Sequence, residues 1–167
     1  MTKAKFIIQI IFLLAVVAAV LGYKYLRSEE YKVKKQLLGI CDDVGKNTEE
    51  GNTTTAIKVV ALGNRLADHV SIVIHDVPVK GDMSGEELVG HVSRARMFLQ
   101  KLQVNVVDQE ITVDGNQASI DCVVHATAVG KDSYYTDDNY HLDITLQKDK
   151  NGTWLFTSFQ ENDLLKK

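Results

Sequence analysis

The chain has 167 residues, 45% of them hydrophobic, and 19 Lys/Arg against 22 Asp/Glu give a net charge of −3. The charges are mixed along the chain, which argues against the clustered basic face that a nucleic-acid surface needs to neutralise phosphates. Two cysteines without a C-x-x-C spacing rule out a zinc ribbon or a thioredoxin-like site, and a single proline with no low-complexity run argues against a long disordered linker.

Residues 6–22, FIIQIIFLLAVVAAVLG, are apolar except for Gln9. Extended through Leu26 as a helix, this stretch is long enough to cross a bilayer core of about 30 Å. Lys3 and Lys5 flank one side. Tyr23, Lys24, Tyr25 and Arg27 flank the other, side chains suited to the headgroup region. A cleaved signal peptide is the rival reading, but Ala18-Ala19-Val20-Leu21-Gly22 holds no clear A-x-A triplet. The expectation is a retained single-pass membrane anchor over residues 1–27, touching the membrane through residues 6–26. Residues 28–167 then form one domain. Counting Lys and Arg literally keeps that domain in the cytoplasm. A short basic tail before a first helix is the layout of an exported domain, so the extracytoplasmic side is expected.

Residues 29–46 have a helical pattern with Tyr31, Leu37, Leu38, Cys41 and Val44 on the apolar face, ended by Gly45 and Asn47. A polar loop leads to a second helix over residues 53–66, capped by Thr53 or Thr54. Residues 69–76 alternate as a strand with Val70, Ile72 and Ile74 on one face. Residues 78–82 turn the chain. Ser84 and Glu87 form a capping box that opens a third helix. Its core stripe is Leu88, Val92, Ala95, Phe98, Leu99 and Leu102, with Arg94 and Arg96 on the solvated side. Strands follow over residues 104–113, with a bulge at Val106-Val107, and over 118–129, 140–148 and 153–160. Asp114-Gly115-Asn116 and Lys150-Asn151-Gly152 supply hairpin turns, and residues 130–138 are a polar connection. Three helices on one face of an antiparallel meander make an α+β domain.

Three stretches carry a family likeness: Leu66-Ala67-Asp68-His69-Val70, Gly81 with Ser84-Gly85-Glu86-Glu87-Leu88, and Asn151-Gly152-Thr153-Trp154-Leu155 with its G-x-W entry to the last strand. In this order the chain resembles the NTF2-like (nuclear transport factor 2, SnoaL-like) superfamily over nearly all of residues 29–163. The resemblance implies a cone-shaped, cystatin-like fold in which a curved sheet wraps three helices. That fold hosts isomerases, hydratases, cyclases, binding subunits and secretion-system components, so it assigns no function by itself.

Strand alternation then says what faces the cone. A one-residue slip would bury every polar group, so the apolar rows must point inward. Those rows contain no acid and no histidine, only Cys122 and Tyr140 as reactive types. The cone-lining candidates for ligand binding are Ile72, Ile74, Ile120, Cys122, Val124, Tyr140 and Leu142. No catalytic residue, cofactor or metal is assigned.

Pairing of the two central strands sets His125 near Asp143 and Thr127 near His141 on the outer face. Asp121, His125, His141 and Asp143 there read either as a solvated sheet face with cross-strand polar pairs or as a homodimer surface; an open sheet face lacks the closed geometry of a metal site. Tyr134-Tyr135 is expected to pack on the cone mouth, and Trp154 in the core. Cys41 and Cys122 read as buried free thiols, with a disulfide as the alternative in an exported domain.

The expected function is a membrane-anchored, non-catalytic domain in protein–protein interaction or assembly, or one binding a small apolar ligand. The alternative is a SnoaL/ketosteroid-isomerase-like enzyme using the cone as its active site. It would need an acid from a helix, or His69 or His75.

Overall fold

The computed structural model describes residues 14–15, 21–22, 28–75, 79–132 and 134–162. The anchor expected over residues 1–27 therefore lies, apart from four positions, outside the described residues. Among the described residues no helix is long and apolar enough to cross a membrane.

From residue 28 the elements are α1 (Glu29–Val44), α2 (Asn52–Gly63), β1 (Leu66–Val73), β2 (Gly81–Ser84), α3 (Gly85–Phe98), β3 (Leu99–Asp114), β4 (Gln117–Gly130), β5 (Tyr135–Lys148) and β6 (Trp154–Glu161). α1 starts where the Ser28 side chain accepts the Tyr31 N–H at 3.1 Å, and Glu29 and Glu30 favour its positive end. Val33, Leu37 and Ile40, spaced four and three residues apart, form its buried stripe. Leu38, expected on that face, is 48% exposed because it lies one position off the stripe. In α3 the expected capping box is present, with Ser84 and Glu87 bonded reciprocally.

The six strands run in the order β2-β1-β6-β5-β4-β3. All neighbours are antiparallel except β1 and β6, which run parallel. β2 takes in Gly81 and Asp82, expected to be turn, and runs on to the N-cap residue: Gly81 to Ser84 pair back onto Ile72 to His69. β1 starts at Leu66 rather than inside a longer second helix, because α2 already ends at Gly63. The β3 register shifts between Val106 and Asp108, which leaves Val107 as the extra residue of the expected bulge. Such bulges bend a strand, and here they curve the sheet around the helices. Gly115 closes the β3–β4 turn with φ +58, a conformation that glycine adopts without strain.

The core joins Leu37 and Leu62 from the helices to Val70, Ile120, Leu146, Trp154 and Phe156 from the sheet. Its closed end is latched from outside. Glu29 at the start of α1 accepts from the Trp154 Nε1–H at 2.9 Å and pairs with Lys148 at 2.8 Å. Gly39 leaves room on α1 for the Arg65 guanidinium, whose Nε donates to the buried Asp43 at 2.6 Å.

Arg96 overturns the expectation of a solvated charge: it is 2% exposed. Its Nη1 donates to the carbonyls of Asp43 (2.9 Å), Val44 (2.8 Å) and Gly45 (2.6 Å). These belong to the C-terminal end of α1, whose last turn has no basic residue of its own. Arg96 thus supplies, from α3, the cation that a helix C-terminus favours. Its Nη2 pairs with Glu50. Lys46 returns the arrangement, donating from Nζ to the carbonyls of Arg96 (2.6 Å) and Leu99 (2.7 Å) where α3 ends. Each helix end is therefore capped by a side chain from beside the other. The same geometry turns Ala95 and Phe98, expected in the core stripe, outward to solvent.

Candidate functional site

The closed end of the cone is filled by Trp154, Phe156 and Leu146. The other end holds an apolar cavity of about 190 Å³. Its wall takes Leu37, Ile40, Cys41 and Val44 from the second half of α1, with Leu62 from α2 and Leu88 and Val92 from α3. The sheet adds Leu66, Ile72 and Ile74 from β1, then Val104, Val124, Leu142, Ile144 and Phe159 from the strands beyond. Cys41, Val44, Ile74, Val92, Val104, Leu142 and Phe159 are only partly buried and lie on its more open side. The Phe159 ring stacks on Phe156, centroids 5.4 Å apart, which fixes the floor on that side.

Of the seven cone-lining candidates, Ile72, Ile74, Val124 and Leu142 lie in the cavity wall. Ile120 and Cys122 are buried deeper in the core, and Tyr140 is half-buried outside the lining. The helical contributors were not among the candidates, which came only from strand alternation. Tyr134 and Tyr135 do not pack over the mouth. Both are exposed, and Tyr135 opens β5 with its hydroxyl donating to Asp137 at 2.8 Å.

The chemistry of the wall is simple. Among the described residues that line it there is no carboxylate, imidazole or amine; Cys41 is the reactive type present. Burial pushes its thiol up to about 11. Burial, helped by Cys41, Asp121 and Asp143 nearby, pushes the Cys122 thiol up to about 12. Both cysteines stand as free thiols in the structure.

One carboxylate lies outside the lining but next to it in strand register, at what the register makes the lip. Glu161 lies two residues beyond Phe159 on the same strand face, opposite Leu142. Its side chain is 9% exposed, and its Oε2 accepts the backbone N–H of His75 at 2.8 Å with His75 Nδ1 at 3.4 Å. His75 follows the lining residue Ile74, and the Lys80 ammonium donates to the His75 carbonyl. His69 is exposed on β1, away from the lining.

The outer face differs from the expected pairing. β5 begins at Tyr135, with the Gly130 N–H donating to the Tyr134 carbonyl at 2.7 Å, so the connection is shorter than residues 130–138. The register moves accordingly: His125 stands opposite Asn139, and Asp143 stands opposite Asp121. His141 faces Val123 rather than Thr127. His125 bonds Asp137 instead. Hydrogen bonds from His125 and Tyr135 hold the Asp137 carboxyl below its ordinary value. Glu110, Asp121 and Asp143 thereby form one cross-strand row of like charges. No group of three or more His, Cys, Asp or Glu among the described residues is arranged to hold a metal ion.

No protein-family model matches the chain. No curated protein matches it either. Solved structures do. A candidate aromatic ring hydroxylase from Novosphingobium aromaticivorans superposes with a TM-score of 0.66 at 12% identity, over 82% of this chain and 90% of its own. A candidate dehydratase of the NTF2-like family from Streptomyces avermitilis gives 0.62 at 15% identity, over 82% and 96%. A candidate scytalone dehydratase from Novosphingobium aromaticivorans gives 0.61 at 12%, over 80% and 83%. These likenesses establish the fold: the domain is an NTF2-like α+β cone. At such identities they reach no further than the fold.

Proposed function

We propose that the chain is a membrane-tethered, non-catalytic NTF2-like domain whose cone holds a small apolar ligand. The observation that carries this reading is the cavity wall, apolar throughout apart from a protonated thiol. An apolar cavity of about 150 Å³ lined by Leu, Ile and Phe stays dry and admits benzene. A cavity of about 190 Å³ suits a molecule of one ring or a short branched chain. With no polar anchor in the wall, affinity there comes from burial and shape.

The tether is the apolar stretch of residues 6–26, and the domain is read on the extracytoplasmic side. The ligand test is a titration of isotope-labelled protein with toluene, followed through the methyl signals of Ile72, Ile74 and Leu142. Saturable shifts confined to the cavity wall support the reading; no shift at millimolar toluene removes it. Alkaline carbonate extraction tests the tether: the chain stays with the membrane pellet if residues 6–26 span the bilayer.

A second reading, an isomerase or dehydratase of the SnoaL type, is favoured by one feature, the Glu161–His75 pair at the lip. It predicts proton exchange at an activated carbon of a bound ketone, lost in E161Q.

A further inference from the structure

Glu161 has a property that the apolar wall does not explain. Its side chain is nine-tenths buried, yet among the described residues only Oε2 is engaged, by the His75 N–H. Among the described residues no donor reaches Oε1, whereas Oε2 has both the His75 N–H and the His75 ring beside it. A carboxylate so far removed from water accepts a further donor favourably, because an ionised acceptor makes hydrogen bonds about twice as strong as a neutral one. Strand geometry sets the direction. Glu161 repeats the facing of Phe159, which lines the cavity, and lies opposite Leu142, which lines it too. The carboxylate therefore continues the cavity wall one step outward.

We infer that the ligand is an amphiphile: an apolar body within the cavity and one hydrogen-bond donor, a hydroxyl or an amine, at the lip on Glu161 Oε1. The inference rests on the ligand-binding reading above and narrows it. A pure hydrocarbon would fill the cavity and leave Oε1 unused. An anion would meet the Glu161 carboxylate head on and be rejected. Glu161 is thus a specificity residue for the head group, while the wall recognises the body.

The test compares toluene with benzyl alcohol, which share a ring and differ by one hydroxyl. The full chain is held in lipid nanodiscs, and ligand lost to the lipid is measured on empty nanodiscs and subtracted. Binding is read from the methyl signals of Ile72 and Leu142. The expected result is benzyl alcohol binding about tenfold tighter than toluene, the strength of a hydrogen bond to a charged group. In E161Q the preference falls to about twofold or less, and core methyl signals of Leu37, Leu62 and Leu146 with wild-type dispersion show the variant to be folded. The same loss in E161A excludes a residual bond from the glutamine oxygen. Equal binding of both ligands by the wild type overturns the inference and leaves the ligand-binding reading intact. A preference that survives both substitutions also overturns it. Failure of both ligands to bind removes both the inference and the ligand-binding reading.

Discussion

Arg96 gives the sharpest test of how the helices are held. Replacing it with methionine keeps the stem's volume and deletes the guanidinium. Glu50, whose side chain is 2% exposed, then keeps only Thr55 at 2.9 Å and Lys58 at 3.4 Å. Removing one partner of a buried pair costs about 3–5 kcal/mol, and the surviving partners reduce that to about 2 kcal/mol. Gly45 O retains the Lys58 ammonium at 3.2 Å. The carbonyls of Asp43 and Val44 lose their side-chain donor, which adds about 1–2 kcal/mol. The sum is about 3–4 kcal/mol, a large share of the 5–15 kcal/mol typical of a domain. Urea unfolding measures it as a lower midpoint at unchanged slope.

The pair also predicts a coupling and a pH dependence. E50Q alone removes the charge, so R96M/E50Q is less damaged than the sum of the single variants, by about 2 kcal/mol. Burial raises the Glu50 carboxyl, but the Thr55 hydrogen bond and the Arg96 and Lys58 charges outweigh it, and the group titrates below its ordinary value. A carboxyl depressed in the folded state stabilises fully above its unfolded value, about 4.3. That contribution is lost as pH falls through the folded value. The advantage of wild type over R96M therefore holds at pH 7 and shrinks below about pH 4. A loss under about 1 kcal/mol in R96M, or strict additivity with E50Q, would refute the account of a buried clamp.

Three other outcomes follow from the described geometry. Hydrogen bonds from Lys148, Lys32 and Trp154 lower the Glu29 carboxyl from 4.5 to about 2. The group is partly exposed, so screening cuts its worth to about 1 kcal/mol; E29Q loses that much at pH 7 and the deficit vanishes as pH falls from 4.5 towards 2 in acid unfolding curves. D121N relieves the cross-strand row with Glu110 and Asp143 and raises stability by about 0.5 kcal/mol, an effect that shrinks in 1 M salt. Cys41, pushed up to about 11, reacts with iodoacetamide at pH 8 a few hundredfold more slowly than a free thiol of pKa about 8.5, and Cys122 labels only on unfolding. Labelling rates followed by mass spectrometry check this.

The order of helices and strands was legible because periodicity, the capping box and the Asp-Gly and Asn-Gly turns are local signals. What was not legible depends on partners distant in the chain. β2 is four residues with no alternation to read, and it exists because β1 offers it an edge. The role of Arg96 requires the ends of α1 and α3 to meet, which no local pattern around Ser93-Arg94-Ala95-Arg96 encodes. The β4–β5 register depended on the length of a polar connection. Reading residues 135–138 as loop moved every outer-face pair by four positions. For the cavity, strand alternation reached Ile72, Ile74, Val124 and Leu142, since facing follows from a period of two. Leu37, Cys41 and Val44 already stood in a recognisable helical stripe. Their place in the wall becomes clear only when α1 is seen lying inside the curve of the sheet. Glu161 ends a strand one residue past the expected boundary, so its inward facing went unread.

The most direct test of the central claim is a crystal of the protein pressurised with xenon, an apolar probe with no shape or hydrogen bonds of its own. A single strong site bounded by Ile72, Val124, Leu142 and Phe159 is predicted, with side chains unmoved. A cone packed shut at those residues, or xenon bound only elsewhere, would contradict the reading of this domain as a holder of a small apolar ligand.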